Sequence, residues 1–199
     1  MFLLPRPKVD YKEFLPHVMA NMQGDTRPAL PPEAAVSYIR NAAIKFAKDT
    51  LVLNHNISIA TQPGMSEYPA ILGSDDERIY VVYRFDGFDW FPAHRFDDDV
   101  VTLDDVSGFA NEKQEIRVAV VPRRKSCQVD ELLFEEWHDA IVYEALANLH
   151  RMPQRPWTSG ALSNEYRVLY NGEVGRARRL EMMGRAVGPM RVRRNPGYV

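Results

Sequence analysis

The hydrophobic period of this chain changes twice, and that change limits its folds more than any other feature. Val36, Ile39, Ala43, Phe46 and Ala47 recur at the spacing that lines one face of a helix. Past Thr50 the period becomes two, with Leu51, Leu53, Ile57 and Ile59 alternating with polar residues, as a half-buried strand requires. Helical spacing returns at Val129 and continues through Leu133, Trp137, Ile141, Ala145 and Leu149, with Leu132 and Leu146 widening the stripe. Strands bunched between helical ends, without alternating with helices, favour an antiparallel insertion over a parallel doubly wound sheet.

Turn and cap residues divide the chain further. Pro16 suits a first helical turn, so a short helix spans about Leu15 to Met22, ended by Gly24. Pro31 and Pro32 open a second helix over about residues 32 to 49. Candidate strands at 53–60, 67–72, 78–85, 88–91, 100–103 and 115–121 are separated by Pro63-Gly64, Gly73-Ser74-Asp75-Asp76 and Asp86-Gly87, which are turn signals. The helix beginning at Val129 is expected to run about 35 Å, at about 1.5 Å per residue, until Pro153 and Pro156. Thr158 or Ser159 can cap a last helix with stripe Leu162, Tyr166, Leu169, Val174, Ala177 and Leu180, terminated at Gly184. The expected fold is α+β: a mainly α-helical bundle of about four helices, with an inserted antiparallel β-rich subdomain and extended arms at both ends. Residues 1–52 supply an arm and bundle helices, 53–122 the insertion, 123–184 the remaining helices and 185–199 a basic extended arm. Phe46, Trp137, Ile141, Trp157 and Tyr166 are the expected bundle core.

Charge is distributed unevenly. The net charge is −2 over 199 residues, which argues against a general nucleic-acid binder. From Arg176 onward, however, seven arginines face one acid, Glu181. The preceding residues are correspondingly acidic. The segment from Gly184 to Val199, if extended, reaches about 50 Å, against a radius of gyration near 16 Å for a domain of this size. It therefore suits docking on a partner, and with only Tyr198 available for base stacking it suits nucleic acid less well. No run of about 18 apolar residues marks a membrane span, and the apolar stretch at the N-terminus is too short for a signal peptide.

Motifs for chemistry are sparse. There is no glycine-rich phosphate loop, nucleophile elbow or metalloprotease helix motif, and Cys127 is the single cysteine, so neither an internal disulfide nor a cysteine-based zinc cluster forms. Glu135-Glu136-Trp137-His138 has E-x-x-H spacing, but a di-iron site needs a second copy, so a solvated helix face is expected. Asp97-Asp98-Asp99 lacks the ligand spacing and glycine of a calcium loop and reads as a charged loop. Cys127 follows Arg123-Arg124-Lys125, which would lower a thiol pKa, yet no general base is identifiable beside it. His17, His55, His94, His138 and His150 are scattered. No catalytic, cofactor-binding or metal site is assigned.

Two blocks of residues carry a resemblance. The first is Leu30-Pro31-Pro32-Glu33-Ala34-Ala35 leading to Ile39-Arg40-Asn41-Ala42-Ala43-Ile44-Lys45-Phe46-Ala47-Lys48-Asp49-Thr50. The second comprises Leu133 to His138, Ala140-Ile141, Glu144-Ala145-Leu146-Ala147-Asn148-Leu149 and Met152-Pro153 to Pro156-Trp157, followed by Ala161 to Arg179. Together they resemble the head-to-tail adaptor, or connector, proteins of tailed bacteriophages, in which glycine is usual where Glu144 stands. The resemblance implies a helical bundle with a β insertion, assembled into a homo-oligomeric ring of about twelve copies around the DNA channel. It also implies a portal protein above, a tail or nozzle protein below, and genomic DNA enclosed without sequence-specific binding; no cofactor, membrane or catalytic residue is inherited.

On that resemblance the chain is expected to be a virion structural protein at the head-tail interface, not an enzyme. Its candidate partner-interface residues, for the portal or a neighbouring subunit, are Arg185, Arg191, Arg193, Arg194 and Tyr198. Two rivals stand beside it. A particle-associated cell-wall hydrolase would use Glu135, Glu136 or Asp139, although helix neighbours do not by themselves frame a glycosidase cleft. A nucleic-acid-binding protein would use the basic tail, and its affinity would depend strongly on salt.

Overall fold

A computed structural model describes residues 6–22, 30–62, 65–69, 72, 75–85, 90–92, 95–97, 100–102 and 113–182. It is a mixed α and β protein whose sheets are antiparallel throughout the described residues. Five α-helices are described: α1 (Leu15–Asn21), α2 (Pro32–Thr50), α3 (Glu131–Glu135), α4 (His138–Leu149) and α5 (Gly160–Met182).

The three long helices pack on one another, α2 and α5 both lying against α4. Helix α2 starts at Pro32, where a missing N–H costs nothing, and buries Ala35, Ile39, Ala42, Ala43, Phe46 and Ala47. It ends at Leu51, whose N–H still reaches the Ala47 carbonyl at 2.9 Å while its φ of 57° turns the following chain out of the helix. Alanines at seven of the buried positions of α2 and α4 present small side chains there. Helix α4 is buried on nearly every side, as a helix walled in by neighbours must be. Ser159 caps α5: its hydroxyl accepts from the Leu162 N–H at 3.3 Å.

The strands form three sheets. In the largest, β2 (Asn54–Ala60), β8 (Lys113–Pro122), β4 (Glu77–Phe85) and β5 (Trp90–Pro92) lie in the order β2-β8-β4-β5. Central β8 buries Ile116 and every residue from Val118 to Val121, the near-continuous apolar run of a strand covered on both faces. A bulge between Ile79 and Val81 re-aims the intervening residue: Tyr80 lies 5.5 Å beneath the Lys48 ammonium of α2. The second sheet is β3 (Glu67–Pro69), β7 (Val100–Thr102) and β6 (Arg95–Asp97), in the order β3-β7-β6; the third pairs β1 (Lys8–Asp10) with β9 (Gln128–Asp130). One apolar cluster runs without interruption from Phe14 and Phe46 through Leu53 to Ile116 and Tyr68, so helices and strands share a core.

Several expectations are corrected. The helix expected from Val129 is broken. Residues 128–130 are instead a strand, because Val129 pairs with Val9, and the Asp130 carboxylate then caps α3 by accepting from the Leu132 N–H at 2.9 Å. The chain breaks again at Glu136 and Trp137, where Trp137 takes φ −126° and ψ 19° and turns its ring into the core. Residues 1–10 are not wholly an arm, since Lys8–Asp10 is strand β1. The 67–72 strand ends at Pro69, the 88–91 strand is placed at 90–92, and Asp97, expected in a loop, ends β6. On α5 it is Tyr170 that is buried, at 1% exposure, while Leu169 is 43% exposed. The expected terminator Gly184 lies outside the described residues.

Candidate interaction surface

The expected core residues Phe46, Trp137, Ile141 and Trp157 are buried, and Tyr166 is half-buried against the same cluster. Phe46 and Trp137 meet at 5.4 Å between ring centroids. The Arg176 guanidinium covers the other side of Trp137 at 4.3 Å, a cation–π contact. The proline-rich segment after α4 is fixed by His150, whose backbone carbonyl accepts from the Ser159 N–H at 2.9 Å and whose ring stacks on Tyr166. A 2.7 Å hydrogen bond joins His150 Nδ1 to the Trp157 carbonyl oxygen.

Arg185, Arg191, Arg193, Arg194 and Tyr198 lie outside the described residues. Three earlier arginines of the basic region sit on α5, and two of them hold the body together. Arg176 pairs with Glu173 at 2.6 Å. Arg178 Nε donates to the Asp49 carbonyl at 2.7 Å, a cation on the negative end of the α2 dipole.

Helix α5 reaches a cleft of about 600 Å³ lined by Arg6, Val52, Asn54, Arg117, Asp130, Glu131, Glu135, Glu136, Leu180 and Glu181, among others. Five carboxylates there face two guanidiniums. Asn54 donates to Glu181 at 3.2 Å, tying the end of α5 to the start of β2. Arg6 donates to the Asn54 carbonyl at 2.7 Å and lies 3.5 Å from Asp130. The last described turn of α5 therefore opens onto an acidic cleft, and a basic chain follows it in the sequence.

The E-x-x-H residues do not form a common face. Glu135 lines the cleft, whereas His138 stacks on Phe14 at 5.1 Å and meets His17 at 4.2 Å. The expectation of a solvated face is therefore corrected at His138, whose ring packs against Phe14, His17 and Phe134, while Trp137 is buried as expected of the bundle core. No group of three or more metal-ligating side chains occurs among the described residues. Asp139, the third carboxylate of the hydrolase rival, accepts a hydrogen bond from His138 at 3.2 Å and does not line the cleft. Cys127 is exposed, and its carbonyl accepts from the Tyr11 N–H. The side chains of Asp97, Asp98 and Asp99, and His94, fall outside the description.

Two ionic nodes, the first buried and the second half-exposed, were not anticipated. Glu77, at 4% exposure, binds the Lys8 ammonium and His55 Nε2, the latter at 3.3 Å. Arg123 donates to the Glu77 backbone carbonyl at 2.8 Å. Burial alone would raise the Glu77 carboxyl pKa, but hydrogen bonds and charge from His55 and Lys8 outweigh it and hold it below the usual range. In the second node Asp49 accepts from Lys45 at 2.8 Å and from the Tyr170 hydroxyl at 2.7 Å. Burial opposes ionisation of Asp49 and the two donors overcome it, so its pKa is also lowered. For Tyr170, burial and the Asp49 carboxylate push the hydroxyl pKa upward. Glu144, 2% exposed, accepts from Asn148 at 2.8 Å and lies 3.7 Å from Lys45. This buried carboxylate thus has partners on two helices. No helix among the described residues is long and apolar enough to cross a membrane. Compared with protein-family models and with curated proteins, the chain finds no match.

Proposed function

We propose that the protein is a head-to-tail adaptor of a tailed bacteriophage virion: a mainly helical bundle with an inserted β subdomain that binds the portal, closes into a ring and continues the DNA channel toward a tail or nozzle protein. The observation that carries this reading is the union of the chain's two ends. Helix α2 packs with α4 and α5 although the whole strand region intervenes, as the resemblance of both helical blocks implies. The mechanism is geometric. The helices set the position of each copy, and Arg185, Arg191, Arg193 and Arg194 dock on the portal or a neighbouring subunit through charge. The predominantly acidic body weakens its hold on phosphate, which suits a conduit for DNA.

The test is the mass of the purified chain by light scattering, alone and mixed with a candidate portal ring. A stoichiometric ring on the portal is expected; a chain that ignores the portal overturns the reading. Replacing the four arginines with glutamate is expected to leave the far-ultraviolet circular dichroism unchanged and to abolish co-elution with the portal ring. Binding unaffected by the substitution would remove them from the interface.

A further inference from the structure

Helix α5 turns Ser163, Tyr170, Val174 and Ala177 into the body, against α4 and α2. The opposite face, taken at about 100° per residue, carries Ala161, Glu165, Val168, Gly172, Gly175 and Arg179. Val168 is 71% exposed, the most of any large apolar side chain among the described residues, and Leu169 at the edge of the same face is 43% exposed. A Cβ added at Gly172 would meet nothing within 4 Å, and one at Gly175 would meet Arg179 Nη1 at 3.5 Å. Glycine weakens a helix relative to alanine, and no packing among the described residues offsets that loss at Gly172.

The charges on this face are ordered. Glu165 stands toward the amino end and Arg179 toward the carboxyl end, about 21 Å apart along the axis at about 1.5 Å per residue, with Gly172 midway. Both side chains are exposed, and neither makes a hydrogen bond or ion pair among the described residues. Arg176, the nearer cation, is already held by Glu173 and Trp137. A face with an acid at one end, a base at the other and an apolar centre is complementary to itself turned end for end. Two such helices crossing antiparallel at Gly172 bring each Glu165 to the other's Arg179. Each Val168, ahead of the crossing, then meets the other's Gly175, beyond it.

We infer that the outward face of α5 is a two-fold contact between two copies of this chain, with Gly172 at the crossing, Val168 packed into the space at Gly175 and Glu165 paired with Arg179 at both ends. Small residues at the crossing let the two axes approach to about 8 Å, the close end of helix packing. One helix face of this length falls below the roughly 1,200 Å² at the low end of specific interfaces, so the pair forms at concentrations on the order of 100 µM, well above the dilution of a denaturant melt. Exposed ion pairs add little singly, but in an isologous contact every pair occurs twice. Such a contact closes at two copies and does not propagate. It therefore concerns the free chain and stands or falls apart from portal binding.

Sedimentation equilibrium of the full chain at low salt, from about 10 µM to about 1 mM, tests it. A monomer–dimer equilibrium is expected in the wild type. Glu165→Arg and Arg179→Glu are each expected to weaken the dimer at least about tenfold, because like charges then meet at both ends. An equimolar mixture of the two variants is expected to associate to within about threefold of wild type, since each reversed charge finds its opposite on the other chain. Misfolded variants could not regain association on mixing, so the mixture separates a lost contact from a lost fold. A chain that stays monomeric throughout, a dimer that withstands either single substitution, or a mixture that associates no better than its components overturns the inference.

Discussion

Glu77→Gln tests whether the buried ionic node at the head of β4 holds the N-terminal segment to the sheet. Glu77 gathers Lys8 from β1 and His55 from β2 around one carboxylate with 5% side-chain exposure. Losing one partner of a fully buried pair costs about 3–5 kcal/mol, because the other charge is stranded. Here Lys8 and His55 keep 14% and 17% of their side-chain exposure, so water recovers part of the loss, and about 2–3 kcal/mol remains. For a chain of this length that is a fall in Tm of roughly 5–10 °C. The pH dependence is a sharper check. Because the folded pKa of Glu77 lies below its ordinary value of 4.5, its contribution is fully present above that value and is lost as pH falls through the folded pKa. Urea melts of wild type and Glu77→Gln at pH 7 and pH 3 are therefore expected to converge at the lower pH. A gap that is the same at both pH values, or absent at pH 7, refutes the electrostatic account.

Four further outcomes follow from the packing. Tyr170→Phe is expected to cost about 1 kcal/mol and to raise the Asp49 pKa toward its ordinary value, read by the carboxylate's NMR titration. Trp137→Ala removes the largest buried side chain and is expected to cost about 3–5 kcal/mol in a denaturant melt. Gly172→Ala is expected to stabilise by about 0.5–1 kcal/mol, since an added Cβ meets nothing within 4 Å; a loss of stability would show that this face of α5 is covered. Leu51→Gly relieves a left-handed backbone worth about 1 kcal/mol but gives up a half-buried side chain, so a Tm gain of a degree or two is expected.

The sequence was legible where local chemistry and burial agree. Proline at the first turn and a clean apolar stripe placed α2, the alternation past Thr50 placed β2, and the strand expected at 115–121 falls within β8. The misses lie where a distant contact overrides the local pattern. Val129 continues a helical spacing, yet its partner Val9 lies 120 positions earlier, and nothing local announces a three-residue strand. Tyr170 displaces Leu169 from the buried face because its hydroxyl finds Asp49 on another helix, a pairing invisible to periodicity. Glu77 reads as a polar residue after a turn, and only the arrival of Lys8 and His55 makes its burial tolerable. Glu144 did leave a signal: a lone carboxylate within the apolar run Ala140–Leu149 must either face solvent or find a donor, and Lys45 and Asn148 are its partners.

The arginines that first suggested a basic tail divide into two physical populations. Arg176 and Arg178 are held by Glu173, Trp137 and the carboxyl end of α2, so their charge stabilises the helical body and fixes α5. Beyond Met182 the sequence holds four arginines, Arg185, Arg191, Arg193 and Arg194, and no acid. Ser163 joins α5 to α4 by donating to the Ala147 carbonyl at 2.8 Å, and Tyr170 and Arg178 join it to α2. The described end of α5 is thereby set beside Glu181 and the cleft carboxylates, and the most basic stretch of the sequence follows it.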